Sequence, residues 1–365
     1  MSVDELLYRS RFGGLWTDRS DAHDLLEARR AAHTYSDADV ELLAHYIDHG
    51  YVILKKVADR AVIDEYLAHF EAAWDDPPER LWLQWNQQGL PMDRRFYDEM
   101  AKVGSLHLSF DRAGELLFPR GVLRFLTQIY ERPPVAFQTL TMRKGSEESL
   151  HIDTAPLTLT EPMSLVGSWV ALEDVQPGSG EFQYIPGSHG VPEQLHHGTY
   201  KGHNGDHQAA HKIIMAKRSL CDERGLHVQT FMAKKGDVLI WHGDLLHGGA
   251  PIEDSTTTRK SLIAHLMPLG VMPTFFDFSH AGVIAYAGGG YTIDTHWADM
   301  LLGPDPTNEW LASSDGRVTK LWRDWVPLSL RRRVSPSFAA RVRQNIFIRS
   351  RLTRRRTLFH DYKGS

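Results

Sequence analysis

A chain of 365 residues, 42% hydrophobic and 24% charged, is long enough to bury a sizeable core in one large domain or two modest ones. Its single cysteine, Cys221, excludes an intramolecular disulfide and any cysteine-built zinc or iron–sulfur centre. The net charge of −5 is uneven: residues 321–365 hold 12 lysines and arginines against 2 acidic residues, so an acidic body carries a basic tail, and without a recognition motif nucleic acid is not an expected partner.

The opening M-S-V-D-E-L-L-Y-R is acidic early and has no long apolar run, so it does not read as a signal peptide. No stretch approaches the roughly 18 apolar residues of a spanning helix, and a cytoplasmic setting is expected. Residues 1–35 are expected to form an N-terminal helical extension. Ser36 then reads as an N-cap, with Val40, Leu43 and Ile47 at helical spacing and Gly50 as the stop. Tyr51–Leu54 reads as a strand. Asp59 can cap a second helix, whose Ile63, Leu67, Phe70 and Trp74 form an apolar stripe suited to core packing. Residues 75–130 read as irregular and rich in large side chains. From about 135 short apolar runs with turn signals follow one another: V-A-F-Q-T-L-T-M, L-V-G-S-W-V-A-L, G-E-F-Q-Y-I-P-G-S-H-G, V-Q-T-F-M, G-D-V-L-I-W-H and R-K-S-L-I-A-H-L. Their spacing predicts an all-β sandwich or barrel in the middle of the chain. Residues 190–230 interrupt it as an insertion with histidines but no clear period.

The segment S-L-H-I-D-T-A-P-L, residues 149–157, sets His151 and Asp153 two apart. In extended backbone both side chains project to one face with Cα atoms about 6–7 Å apart, and both can reach one ion at about 2.0–2.2 Å. Two ligands under-hold a metal. A distal histidine would complete a facial triad with open positions, the arrangement suited to non-haem Fe(II). The stretch G-D-V-L-I-W-H-G-D-L-L-H-G-G-A-P, residues 236–251, offers His242 and His247, the latter followed by two glycines that let backbones approach. Arg259 then opens an apparent buried strand and needs a carboxylate, from Glu253, from Asp254 or from a bound ligand.

Together these segments resemble the phytanoyl-CoA dioxygenase-like branch of the Fe(II)/2-oxoglutarate oxygenases, over roughly residues 36–270. The resemblance rests on H-G-Y-V-I-L (49–54), H-I-D (151–153), G-S-W-V-A-L-E-D and G-S-G-E-F-Q-Y-I-P-G-S-H-G (within 167–190), the 236–251 stretch, and Arg259, in that order and spacing. It implies a mainly β fold with flanking helices, a double-stranded β-helix (jelly-roll, cupin-like) barrel, spanning 36–305. It implies His151, Asp153 and His247 as iron ligands, leaving His242 as a core or pocket residue. It implies 2-oxoglutarate and O2 as cosubstrates, with the 5-carboxylate of 2-oxoglutarate on Arg259. Ser261 completes an Arg-x-Ser pattern for the same carboxylate, and Gln138 and Lys144 are expected to line the cosubstrate pocket. Related halogenases carry a small residue where Asp153 stands, so a carboxylate there points to hydroxylation, or a desaturating or ring-forming variant of it.

The expected reaction is hydroxylation of an unactivated C–H in a small-molecule biosynthetic intermediate, with release of succinate and CO2. Alternatives are a lipid or glycolipid substrate at a membrane surface, or a cupin-like metal-binding protein without 2-oxoglutarate. Substrate recognition is expected in 75–130, 190–230 and 270–300, the last holding Tyr286, Tyr291, His296 and Trp297. The insertion's His196, His197, His203, His207 and His211 read as solvated loop residues or as pocket lining. Residues 306–365 are expected to form a basic helical tail, with Phe338, Val342 and Ile346 on one face. The tail either lies over the acidic body or touches an anionic membrane or acidic ligand.

Overall fold

The computed structural model describes residues 7–294, apart from 79–80, 87, 193–194, 196–206 and 275–281. The basic tail, His296 and Trp297 lie outside the described residues, as do the insertion's His196, His197 and His203. After a single turn at Trp16–Asp18 come helices α1 (Ala22–Ala31) and α2 (Asp37–His49), strand β1 (Tyr51–Leu54) and helix α3 (Arg60–Ala72). Ser36 caps α2: the Asp39 N–H donates to its Oγ at 3.3 Å, and its own N–H donates to Asp39 Oδ2 at 2.9 Å. Gly50 ends the helix at φ 75°, a left-handed conformation that a side chain would strain. Asp59 caps α3 through the Ala61 N–H at 2.7 Å.

The stretch expected to be irregular is largely ordered into elements. It forms β2 (Trp82–Trp85), β3 (Gln88–Pro91), β4 (Lys102–Gly104), α4 (Ala113–Leu117) and α5 (Arg120–Tyr130). These strands are short and are specified by pairing, β4 with β5 and β2 with β4, rather than by any alternation of their own. The barrel strands follow: β5 (Pro134–Met142), β6 (Val166–Ala171), β7 (Phe182–Tyr184), then helix α6 (His207–Glu223), β8 (Gln229–Phe231), β9 (Val238–His242), β10 (His247–Gly249), β11 (Ser261–Pro268), β12 (Gly282–Ala285) and β13 (Tyr291–Asp294).

The strands make two sheets. The larger has ten, ordered β1-β9-β6-β11-β5-β4-β2-β3, with β13 beside β5 and β12 beside β13. The smaller is β10-β7-β8. Alternation along the central strands assigns their faces. Val166 and Val170 of β6, Val238 and Ile240 of β9, and Leu262, Ala264 and Leu266 of β11 pack with the helices in one core. Their neighbours Trp169, Leu239 and Trp241 pack instead with Phe182, Tyr184 and Phe231 of the small sheet. Each such buried side chain is worth roughly 1.5–3 kcal/mol of transfer free energy, so both faces of the large sheet are committed. This is the double-stranded β-helix with helices outside it.

The insertion is also more regular than its sequence suggests. In α6 the buried positions are Ile213, Lys217 and Cys221, one stripe at four-residue spacing. A lysine in the middle of the stripe hides it from any hydrophobic count.

Candidate metal centre

Asp153 is the focus of the site. Its side chain lies between the two sheets with 3% exposure. Its backbone N–H is fixed by the Gly243 carbonyl at 2.9 Å, and its Oδ2 accepts from the Trp241 indole Nε1 at 2.9 Å. Oδ1 is left facing three imidazoles: His247 Nε2 at 3.6 Å, His265 Nε2 at 3.7 Å and His151 Nε2 at 3.8 Å. Burial alone would push this carboxyl up. The imidazoles of His247, His265 and His151, with the Trp241 N–H, outweigh burial and hold it below the usual carboxylate range.

His151 and His247 are placed by each other. Their backbones form an antiparallel pair, with His151 N–H donating to His247 O at 2.9 Å and His247 N–H to His151 O at 3.1 Å. The approach needs Gly248, where a Cβ would sit 2.4 Å from the Glu148 carbonyl oxygen. Each ring donates from Nδ1 to a nearby carbonyl, His151 to Ser149 at 2.8 Å and His247 to Leu245 at 2.9 Å. That bond fixes the tautomer and leaves both Nε2 lone pairs aimed inward. Phe182 stacks on the His247 ring at 5.5 Å, and burial pulls its pKa down to about 4, so it is a neutral ligand at physiological pH.

The ligand atoms of His151, Asp153 and His247 all lie within 4.8 Å of one another, and among the described residues no other group of three or more His, Cys, Asp or Glu meets that condition. Two neutral imidazoles and one carboxylate on one side of a point suit a divalent non-haem metal with open positions. His151 is the exposed edge of the group, with 29% of its side chain accessible.

Arg259 and Ser261 lie at the start of β11. Both are at most 1% exposed, and both Arg259 Nε and Ser261 Oγ lack a hydrogen-bond partner among the described residues. Burial pulls the guanidinium down to about 10, which leaves it cationic at neutral pH. Neither Glu253 nor Asp254 takes it: no ion pair joins either to Arg259 among the described residues, Asp254 accepts from Thr256, and the carboxylates that act on the guanidinium are the more distant Glu181 and Glu148. A buried cation and a hydroxyl two residues apart, both unsatisfied, fit an anionic carboxylate.

The other expected residues divide. Gln138 faces the site, its Oε1 accepting from His265 Nδ1 at 2.9 Å. Lys144 does not: its ammonium donates to the Ser255 carbonyl at 3.0 Å in an exposed contact, because the strand has ended and the chain has turned outward. His242 stands on the far side of β9. Its Nδ1 accepts from the Asp244 N–H at 3.0 Å and its Nε2 is 3.2 Å from Asp18 Oδ1. Tyr286 packs on Phe118, and Tyr291 pairs with Val135 on the sheet. His265 and Trp241 were not expected at the site. Their one sequence signal is parity: His265 shares a face of β11 with Ser261, and Trp241 is inward on β9.

A double-stranded β-helix with a His-x-Asp…His group between its sheets defines the class of iron-dependent oxygenases of this barrel type. The chain belongs to the phytanoyl-CoA dioxygenase family: the family profile, described as Phytanoyl-CoA dioxygenase (PhyH), matches residues 46–261. It is an Fe(II)/2-oxoglutarate-dependent oxygenase. No curated protein matches the chain by sequence. Among solved structures it is similar to the epimerase SnoN in complex with Fe3+, alpha ketoglutarate and nogalamycin RO, at 17% identity and TM-score 0.51, over 70% of this chain and 98% of that one. It is also similar to the non-heme alpha ketoglutarate dependent carbocyclase SnoK from nogalamycin biosynthesis, at 16% identity and TM-score 0.48, over 68% and 90%. EctD from S. alaskensis with bound Fe aligns at 14% identity and TM-score 0.46, over 62% and 75%. At these identities the likeness to SnoN is one of fold. Among the described residues no helix is long and apolar enough to cross a membrane.

Proposed function

We propose that the protein hydroxylates an unactivated C–H of a small-molecule biosynthetic intermediate, holding Fe(II) with His151, Asp153 and His247 and seating 2-oxoglutarate by its 5-carboxylate on Arg259 and Ser261. The observation that carries this reading is the pair of orphaned buried groups at the entry to β11, Arg259 Nε just before the strand and Ser261 Oγ on its first residue, in the same barrel as the three-ligand group. When bound, iron with 2-oxoglutarate and O2 supplies an oxidant strong enough to take hydrogen from carbon, leaving succinate and CO2.

The chain's own part is placement. Trp241 fixes Asp153 so that one oxygen faces inward. Ser149 and Leu245 hold the two imidazoles by Nδ1–H, so that each Nε2 turns inward. Arg259 neutralises a carboxylate away from water, where the interaction is strongest. The Trp169, Phe182 and Trp241 cluster excludes solvent from one side, and His151 marks the accessible edge by which a substrate can approach. The carboxylate of Asp153 fills the position that a halide would need, which favours hydroxylation.

The test is an anaerobic titration of metal-free protein with Fe(II) and then 2-oxoglutarate, followed by the visible charge-transfer band of the chelate. A band that saturates at one equivalent of iron is the expected result. Bound iron with no band would overturn the 2-oxoglutarate assignment.

A further inference from the structure

Trp241 touches the metal group twice, bonded to Asp153 Oδ2 at 2.9 Å and packed 4.9 Å from the His247 ring. It is also the inner end of a run of aromatic rings that leads out of the barrel. Phe182 lies 5.3 Å from Trp241, Tyr184 lies 6.2 Å from Phe182, and Tyr51 lies 4.6 Å from Tyr184. Tyr51 also stands directly opposite Trp241 in the β1–β9 register, where side chains on one face approach to about 4.5–5.5 Å at Cβ. β1 is the edge strand of the ten-stranded sheet, and Tyr51 is half-buried there. Beyond it the rings of His45 and His49, one turn apart on α2, lie 4.9 and 6.5 Å away, and His49 is exposed.

A packed core needs apolar rings between two sheets, but it does not need this order. Tryptophan and tyrosine give up an electron far more readily than phenylalanine or an aliphatic side chain, and here they occupy both ends of the series. The Asp153 carboxylate beside the indole N–H favours positive charge on Trp241. The neighbouring branch is closed, since the Arg259 guanidinium lies 5.7 Å from the Trp169 ring and opposes positive charge there. Burial pushes the Tyr184 hydroxyl up, so that it keeps its proton. Tyr51 stands instead beside His45, a base whose pKa is pulled down by burial and by His49 and which is therefore neutral and able to take a proton.

Resting on the functional reading above, we propose that Trp241 and Tyr51 form an electron path from the metal group to the surface, by which oxidising equivalents generated without substrate are discharged before they damage the site. Trp241 gives one electron to the metal centre, where a proton from solvent is taken up. Tyr51 refills Trp241 and loses its phenolic proton to His45 or to water, becoming a neutral tyrosyl radical. A one-electron reductant from solution, ascorbate in the test below, returns a hydrogen atom to Tyr51. A second passage delivers the second electron and proton, and oxygen leaves as water with the metal again ferrous.

The protein is loaded anaerobically with Fe(II) and 2-oxoglutarate, mixed with O2 in the absence of substrate, and frozen for electron paramagnetic resonance. Ring-deuterated tyrosine narrows a tyrosyl signal and so identifies it, and peptides are then mapped by mass for oxygen added to Trp241. Wild type should give a tyrosyl signal that ascorbate removes. Tyr51→Phe, which keeps the ring and removes the hydroxyl, should keep the chelate band, lose that signal and gain oxidised Trp241, with fewer rounds of succinate release before inactivation. Tyr184→Phe is the control and should retain the signal, because Tyr51 still faces Trp241. Wild-type protein that forms the band and succinate but no tyrosyl signal, or a signal that survives in Tyr51→Phe, would overturn the path and leave the oxygenase assignment standing. Absence of the band in wild-type protein would overturn the assignment, and this inference with it.

Discussion

The indole of Trp241 holds the carboxylate of Asp153, Nε1 to Oδ2 at 2.9 Å, across 88 positions of chain. The same ring packs 4.9 Å from His247, so one side chain supports two of the three ligands. Trp241→Phe keeps most of the ring and removes only the donor. Fe(II) or Co(II) affinity should fall about 10–100-fold, the usual effect of losing such a support. Calorimetric titration measures it, and an unchanged affinity would mean that Asp153 orients itself.

Gly167 lies directly opposite Trp241 on the neighbouring strand, and a Cβ there would sit 2.0 Å from the indole. Gly167→Ala must therefore move the ring. Overpacking of this kind costs about 1–3 kcal/mol, and the displaced Nε1 should weaken metal binding as well. Chemical denaturation and metal titration on the same variant test both. A loss of stability with full metal affinity would break the proposed link between strand packing and ligand orientation.

Arg259→Ala should raise the dissociation constant of 2-oxoglutarate by about 30-fold or more, since truncating a buried charged partner costs at least about 2 kcal/mol. Arg259→Lys should fall between, because the charge remains but the planar fork does not. The chelate band reads both, and a constant within threefold of wild type in the alanine variant would place the cosubstrate carboxylate elsewhere.

His107 gives a pH dependence independent of the metal. It is buried with both ring nitrogens engaged, Nδ1 with Thr139 Oγ1 at 2.6 Å and Nε2 with Thr292 Oγ1 at 2.8 Å, and burial pulls its pKa down to about 3. The unfolded chain regains a value near 6.5, so between about pH 6.5 and pH 3 the unfolded state binds the extra proton and folding stability falls as pH falls. Urea midpoints at pH 7.5 and pH 5 should show this decline, and His107→Gln should make it shallower. An equal slope in the variant would assign the decline to the other buried histidines.

Much of the site was legible because its chemistry is local. His151 and Asp153 are adjacent in alternation, Gly248 and Gly249 announce a close approach, and Arg259 and Ser261 share a strand face. His265 and Trp241 were not legible, because what makes them matter is a contact with one carboxylate made from strands 112 and 88 residues distant, and no spacing encodes that. Lys144 was misplaced for the opposite reason. Its nearness in sequence to the metal segment suggested a pocket, but β5 ends at Met142 and the following turn points it outward. Strands β2 to β4 and the stripe of α6 escaped notice because pairing partners and one buried lysine, rather than periodicity, define them.

His247 belongs to the three-stranded sheet, while Asp153 is braced by Trp241 of the ten-stranded one. An ion gripped by both acts as a rivet through the barrel wall. Its loading should stiffen the closure of the two sheets, adding stability that grows with the logarithm of free metal. Conversely, any slackness between the sheets detunes the ligands, so the accuracy of the chemistry is set by how tightly the sandwich shuts.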